Sequence, residues 1–359
     1  MNSVLVYSLS FFACIVLGFT VQRFRDSLRI SSFAFNFGAS IIIAFPVIAI
    51  MSVRYGIGTD YFNYERVFDY YQKYAISRME LGFSFLMDFV LLWFNEFQFF
   101  VLVTSVLTVL LPFYVLFSKS KEYLWLQLLV LLCLYFGLWC NVIRQAVAVG
   151  FIVFALQFLL ENQRKKFVVF VILASLFHIS ALGFFPLILY TLTGNKSKNN
   201  QKWVIAFAAL VSIIFGFFFL NYGASFDFLY SGYISSHREG GRLWIYFLLA
   251  LFFYVPEIFC LKEICRINKV NLILYIMLVF ELLFFLLSFK VAHAYRMGFY
   301  FSLAHIYLLP LTLQTCVDKN GRIVLTLYYT LFLGFYFFVT TYLFGLNGIS
   351  LYATFYTSP

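Results

Sequence analysis

The sequence predicts an all-α fold, a polytopic transmembrane bundle of about 10–12 membrane helices that include a short-helix hairpin. The first observation behind this is composition. Of 359 residues, 64% are hydrophobic, 23% aromatic and only 11% charged. The surface of a soluble fold needs far more charge, so lipid must serve as solvent for most of the chain. The second is length: apolar runs of about 20 residues recur, enough for a helix to cross a hydrocarbon core of about 30 Å. The third is the spacing of charge. Arg23, Arg25 and Arg29, then Lys119 and Lys121, then Arg164, Lys165 and Lys166, then Lys262, Arg266 and Lys269 lie in short clusters between apolar runs. Cytoplasmic loops carry such clusters. The net charge of +10 therefore reads as membrane topology, and no nucleic-acid partner is expected.

Spans are predicted near 3–21, 33–53, 97–117, 124–140, 142–160, 203–221, 244–261, 271–289, 297–315 and 323–343. The opening MNSVLVYSLSFFACIVLGF has no basic leader or small-residue cleavage site, and the basic QRFRDSLR follows it. It reads as an uncleaved first span with its N-terminus outside. LGFSFLMDFVLLWF (81–94) is short for a span and carries Asp88, which suits an interfacial or partly inserted helix. Residues 167–193 hold two apolar halves around His178 and Ser180. One crossing would invert every later basic cluster, whereas a hairpin or pair of short helices keeps Lys196, Lys198 and Lys202 with the others inside. There is no internal repeat or linker, so residues 1–359 read as one integral membrane domain. Cys14, Cys133, Cys140, Cys260, Cys265 and Cys316 form no CxxC or Cys/His pattern. Neither a disulfide framework nor a metal is indicated, and no cofactor is called for.

This topology gathers four polar segments into one outer mouth: 54–80, the NVIRQ entry at 141–145, the loop at 222–242 and KVAHAYR at 290–296. Asn141, Arg144, Gln145 and Ala148 recur with helical spacing and predict a polar stripe pointing into the bundle. A snorkelling anchor is the plain alternative for Arg144. However, an intramembrane guanidinium flanked by amides suits a phosphate or carboxylate held bidentately. His178 is either a helix-break histidine bonded to backbone carbonyls or a group that carries a proton. In RYGIGTDYFNYERVFDYYQKY, Gly56 and Gly58 mark a turn, and Asp60, Tyr61, Tyr64, Glu65 and Asp69 follow. Rings beside carboxylates are what a carbohydrate site uses, although tyrosines also line membrane interfaces.

RYGIGTDYFNY, MELGFSFL, NVIRQAVAV, LFHISAL and AYRMGFYF, in that order, resemble the EpsG family of exopolysaccharide and O-antigen polymerases, grouped with Wzy-type proteins. The resemblance runs from Arg54 to about Phe301, and the tail NGISLYATFYTSP adds nothing to it. It implies a glycosyltransferase of the bacterial cytoplasmic membrane with an outward-facing site. A glycan on polyprenyl diphosphate would pass to the terminal sugar of another lipid-linked unit, and polyprenyl diphosphate would leave. On this reading Arg144 grips the diphosphate, with Arg54 and Arg296 beside it. Asp60 or His178 takes the acceptor proton, and arginines stand in for a metal. Asn141, Gln145, Tyr61, Tyr64 and Tyr295 join the substrate-binding set, and His237, Arg238 and Arg242 would hold or gate the glycan. Expected partners are the lipid-linked oligosaccharide, membrane lipid, and the flippase and chain-length regulator of the same pathway. A flippase, a membrane O-acyltransferase using His178 and an O-antigen ligase are the rival readings. The gathering of polar residues at one mouth, without repeats, favours an enzyme over a flippase.

Overall fold

A computed structural model describes residues 2–29, 32–77, 79–120, 122–193, 244–289, 294–315 and 318–357. Arg238, Arg242 and the span expected at 203–221 lie outside the described residues, as does the 222–242 loop. Among the described residues there are helices and no strands; one isolated antiparallel bridge pairs Arg54 with Thr354. Seven of these helices are long and apolar enough to cross a membrane, and a bent pair makes up to eight. The chain is an all-α, multi-pass bundle, as composition requires. It divides into two compact units: residues 1–155, 169–181 and 327–359, and residues 156–168 and 182–326.

The first unit is built on α1 (Ser3–Leu28), α2 (Phe33–Ser52), α5 (Phe97–Lys119), α6 (Leu124–Asn141) and the start of α7 (Ile143–Leu160). Asn2 caps α1 by accepting from the Leu5 amide, and Ser32 caps α2 by accepting from Phe35. Pro46 in α2 and Pro112 in α5 are tolerated, as prolines are in membrane helices whose neighbours satisfy the backbone. Helix α6 is sheathed almost completely, from Leu124 to Asn141. By contrast α1 leaves Leu5, Leu9 and Phe12 exposed on its outer side, the surface expected where the solvent is lipid.

Contacts at the helix ends fix how these helices alternate. At one end Arg25, near the C-terminus of α1, donates through Nη2 to the Ser120 carbonyl just past α5 (3.0 Å), and the Phe24 and Phe117 rings each meet Phe35 near the start of α2. Arg23, Arg25, Arg29 and Lys119 therefore cluster at that end. At the opposite end Tyr7 of α1 donates to the Ile349 carbonyl (3.0 Å), and Tyr352 donates to the Ile50 carbonyl at the end of α2 (2.9 Å).

Between α2 and α5 lie two shorter helices, α3 (Tyr61–Tyr74) and α4 (Leu81–Leu91). Tyr61, Tyr64 and Phe68 of α3 recur on one face and bury against Phe83 of α4 and Phe97 and Phe100 of α5. Tyr71 donates to Asp88 Oδ1 at 2.7 Å, so the acid that looked out of place in an apolar segment ties α4 to α3. This bond pushes the Tyr71 phenol up to about 12. Helix α4 has the short length expected of an interfacial segment, burying Phe83, Leu86, Met87 and Val90 while Leu81 and Phe85 stay exposed.

Residues 167–193 take the short-helix form. Helix α8 (Arg164–Ser175) ends at Leu176–His178, a tight turn follows over Ile179–Phe184, and α9 covers Leu187–Thr193.

In the second unit α10 (Trp244–Phe259) meets α11 (Leu261–Ile267) at a 61° bend. Then come α12 (Leu272–Leu287), α13 (Ala294–Phe301), α14 (Ala304–Thr315) and the start of α15 (Lys319–Phe338). The span expected at 297–315 is instead two helices broken at Ser302–Leu303, where the Ser302 hydroxyl bonds back to the Phe299 carbonyl.

Candidate active site

In the first unit the polar end brings together segments far apart in sequence. Its centre is Glu80, the residue preceding α4, which lies within MELGFSFL and is not among the site residues expected from sequence. Its Oε2 accepts from Arg144 Nη1 at 2.6 Å, and its Oε1 lies 3.0 Å from His178 Nδ1. The Ile179 amide also points at Oε1, at 3.4 Å. One carboxylate thus joins the first turn of α7 to the turn after α8. The pair is mostly enclosed, with both the Arg144 and Glu80 side chains 17% exposed.

Backbone packing puts Glu80 there. Gly82 donates its amide to the Leu176 carbonyl at 2.8 Å, and a Cβ at position 82 would stand 2.8 Å from that same oxygen. Only glycine lets the start of α4 lie on this turn, two residues from His178. The signal was in the sequence: an acid and a glycine two apart in a motif otherwise read for its apolar residues.

Burial works to raise the Glu80 carboxyl. The His178 hydrogen bond and the Arg144 charge together outweigh it and hold the group at about 2. Glu80 is therefore an ionised acceptor throughout the neutral range. It can hold an imidazole in one tautomer and orientation and stabilise its protonated form, but it cannot itself give up a proton there.

Asn141 organises the adjoining loop. Its Oδ1 accepts from the Thr59 hydroxyl (2.6 Å) and the Asp60 amide (3.0 Å), and its Nδ2 donates to Asn347 Oδ1 (3.3 Å). Gly58, at φ 99°, approaches so closely that a Cβ would fall 2.2 Å from the Cys140 carbonyl oxygen. Asp60 precedes α3 on this clamped loop. The tail closes the arrangement: the Gly58 amide donates to Gly348, Tyr55 to Ala353, and Phe355 to Val53.

Several expectations are corrected. Asn141, Arg144, Gln145 and Ala148 do not share one helix face, because Asn141 ends α6, Val142 is non-helical (ψ 73°) and α7 starts at Ile143. The chain turns there, and Asn141 faces the Asp60 loop while Arg144 reaches Glu80. Gln145 is 1% exposed. Tyr61 and Tyr64, at 1% and 5% exposed, pack among the rings of this unit's core. Arg54 is 1% exposed and turned inward, donating through Nη1 to the Met51 carbonyl (2.6 Å) and Ser105 Oγ (3.2 Å). It secures the C-terminal end of α2 and pairs with no carboxylate among the described residues. Tyr295 and Arg296 belong to the second unit, where Tyr295 stacks on Tyr246 at 5.6 Å and the Arg296 guanidinium lies 6.0 Å from the Tyr295 ring centre.

The EpsG family model matches residues 39–354. The match takes in residues 347–354, part of the tail that adds nothing to the motif resemblance and that in the structure grips the Arg54–Thr59 segment. No curated relative and no solved structure matches the chain.

Proposed function

The chain belongs to the EpsG family, and from that membership we propose that it is a polysaccharide repeat-unit polymerase whose site is the Glu80–Arg144–His178 cluster. Two lipid-linked glycans meet on the outer side of the cytoplasmic membrane. The acceptor hydroxyl oxygen attacks the anomeric carbon of the donor sugar, the bond from that carbon to the diphosphate oxygen breaks, and polyprenyl diphosphate leaves with the electron pair. The hydroxyl proton passes to His178. The Glu80 carboxylate beside Nδ1 orients the imidazole and stabilises the imidazolium that forms. Arg144 supplies positive charge for the departing diphosphate. Glu80 fixes the guanidinium through Nη1, and a fixed cation stabilises the charge that develops on a departing diphosphate.

The observation that carries this reading is the double grip of Glu80 on Arg144 and His178. It turns a lone histidine between apolar helices into an oriented base beside a fixed cation. The separation of the polar end of the first unit from Arg23, Arg25, Arg29 and Lys119 supports an outward site, since basic residues mark the inner side. The test compares His178→Ala with Asp60→Asn in cells, at matched membrane levels, by polymer length on gels. Single repeat units in His178→Ala with long chains in Asp60→Asn agree with the assignment. Normal chains in His178→Ala would move the base to Asp60. An oriented histidine also suits acyl transfer, and in that case polymer length would stay normal while acyl groups disappeared from the glycan.

A further inference from the structure

The second unit holds a buried charge cluster whose residues the proposed reaction does not use. Glu257 stands on α10, Glu281 on α12 and His305 in the first turn of α14. His305 Nδ1 lies 2.8 Å from Glu257 Oε1, and its Nε2 lies 2.9 Å from Glu281 Oε2. The three residues are 0%, 2% and 0% exposed for Glu257, Glu281 and His305 respectively. The Tyr254 hydroxyl reaches Glu281 Oε2 at 2.9 Å, and the Tyr275 hydroxyl donates to the main-chain oxygen of Glu257 at 2.9 Å. Glu257 Oε2 is buried with no hydrogen-bond partner.

Charge can be counted from this geometry. Each nitrogen–oxygen contact needs one proton between its two atoms, since two lone pairs would repel at that distance. Two protons shared by one imidazole and two carboxylates give a net charge of −1, whichever atom holds each proton. No lysine or arginine pairs with either glutamate among the described residues; Lys262 and Arg266 on the neighbouring α11 are exposed. Tyr254 and Tyr275 are the phenols facing the cluster, with Cys260, Glu263 and Cys265 beyond Tyr275. None of these supplies positive charge. A bare negative charge sealed among apolar helices is strongly disfavoured. Among the described residues no three His, Cys, Asp or Glu side chains converge to hold a metal ion.

We propose that Glu257 Oε2 binds one monovalent cation, a proton or an alkali ion, and that the Glu257–His305–Glu281 cluster is electroneutral when this cation is held. The cation sits on the cluster's Glu257 Oε2, which is buried with no hydrogen-bond partner. Because the three residues come from three helices, two of them beside a break (Cys260 after α10, Ser302–Leu303 before α14), the bound charge locks the second unit together. This does not depend on the polymerase reading.

The test uses the purified full-length protein in detergent at neutral pH. Infrared difference spectra against Glu257→Gln report a protonated carboxyl as a carbonyl stretch separate from the ionised carboxylate bands. In parallel, thermal unfolding is followed in sodium and in the bulky cation choline at equal ionic strength. A carbonyl band present in the native protein and absent in Glu257→Gln identifies a proton. Without that band, a folded-to-unfolded ratio that rises about tenfold per tenfold rise in sodium above saturation, and is flat in Glu257→Gln, identifies an alkali ion. If the native protein shows neither signal, the proposal is overturned, and that outcome needs no folded variant. A signal that persists in Glu257→Gln overturns it as well.

Discussion

Glu80→Gln removes one negative charge while keeping the side chain's size. In the native protein the carboxyl stands at about 2 against an ordinary value of 4.5. The gap is worth about 3 kcal/mol in favour of the ionised form, supplied by His178 and Arg144 against the opposing effect of burial. If the contact that holds the carboxylate ionised also holds the imidazole for proton transfer, losing it raises the barrier by up to the same amount. The expected fall in turnover is about 10². The loss should fall on kcat more than on KM, since the two groups that Glu80 holds, His178 and Arg144, are proposed to act as the proton moves and the diphosphate departs. Glu80→Asp is a second step in the series. Withdrawing the carboxylate by one methylene, about 1.5 Å, prevents it from spanning contacts of 2.6 and 3.0 Å at once. Its activity should fall between those of the native protein and Glu80→Gln. The assay is polymer formation from lipid-linked repeat units by purified protein in proteoliposomes, with kcat and KM determined separately and thermal stability measured alongside. A native kcat in Glu80→Gln would refute the reasoning, as would a loss confined to KM. Equal loss of stability and activity, restored by a distant stabilising substitution, would leave Glu80 as a tie between α4, α7 and the His178 turn.

Arg144→Lys should shorten polymer nearly as much as Arg144→Ala, because lysine keeps the charge but not the planar guanidinium that is proposed to meet both Glu80 and the diphosphate; native chain lengths on gels from the lysine variant would return Arg144 to a simple anchor. Gly82→Ala places a carbon 2.8 Å from the Leu176 oxygen and should lower stability by about 1–3 kcal/mol while separating Glu80 from His178, so unchanged melting and activity would contradict the close packing described. The stabilisation that comes from Glu80 is complete above pH 4.5 and is lost as pH falls toward 2, so native protein should lose melting temperature across that interval relative to Glu80→Gln; parallel curves would contradict the ion-paired carboxylate. Tyr70→Cys, on the exposed face of α3, should react with an impermeant thiol reagent in intact cells, whereas Lys165→Cys should react only after permeabilisation; the reverse pattern would invert the topology.

Much of this protein is written in its composition. Segments of about 20 apolar residues can satisfy their backbone in lipid only as helices, so the bundle and most of its spans follow from the sequence without any knowledge of packing. Arg144 and His178 were also visible there, because an ionisable group among apolar residues stands out in one dimension. Their partner was not. Glu80 sits beside a polar stretch where an acid is unremarkable, and its meaning comes from a glycine two residues on that lets α4 rest on the turn before His178. In the same way Glu257, Glu281 and His305 are single polar residues on three separate helices, and only helix packing closes them into one cluster. Tyr61, Tyr64 and Arg54 show the converse, since their chemistry suited a binding site and helix α3 and the end of α2 turned them into the core. Local periodicity and hydropathy determine which segments become helices, because those properties act within one segment. Which polar atoms meet depends on contacts across 64 and 98 residues, as at Glu80, and these exist only once the helices have packed.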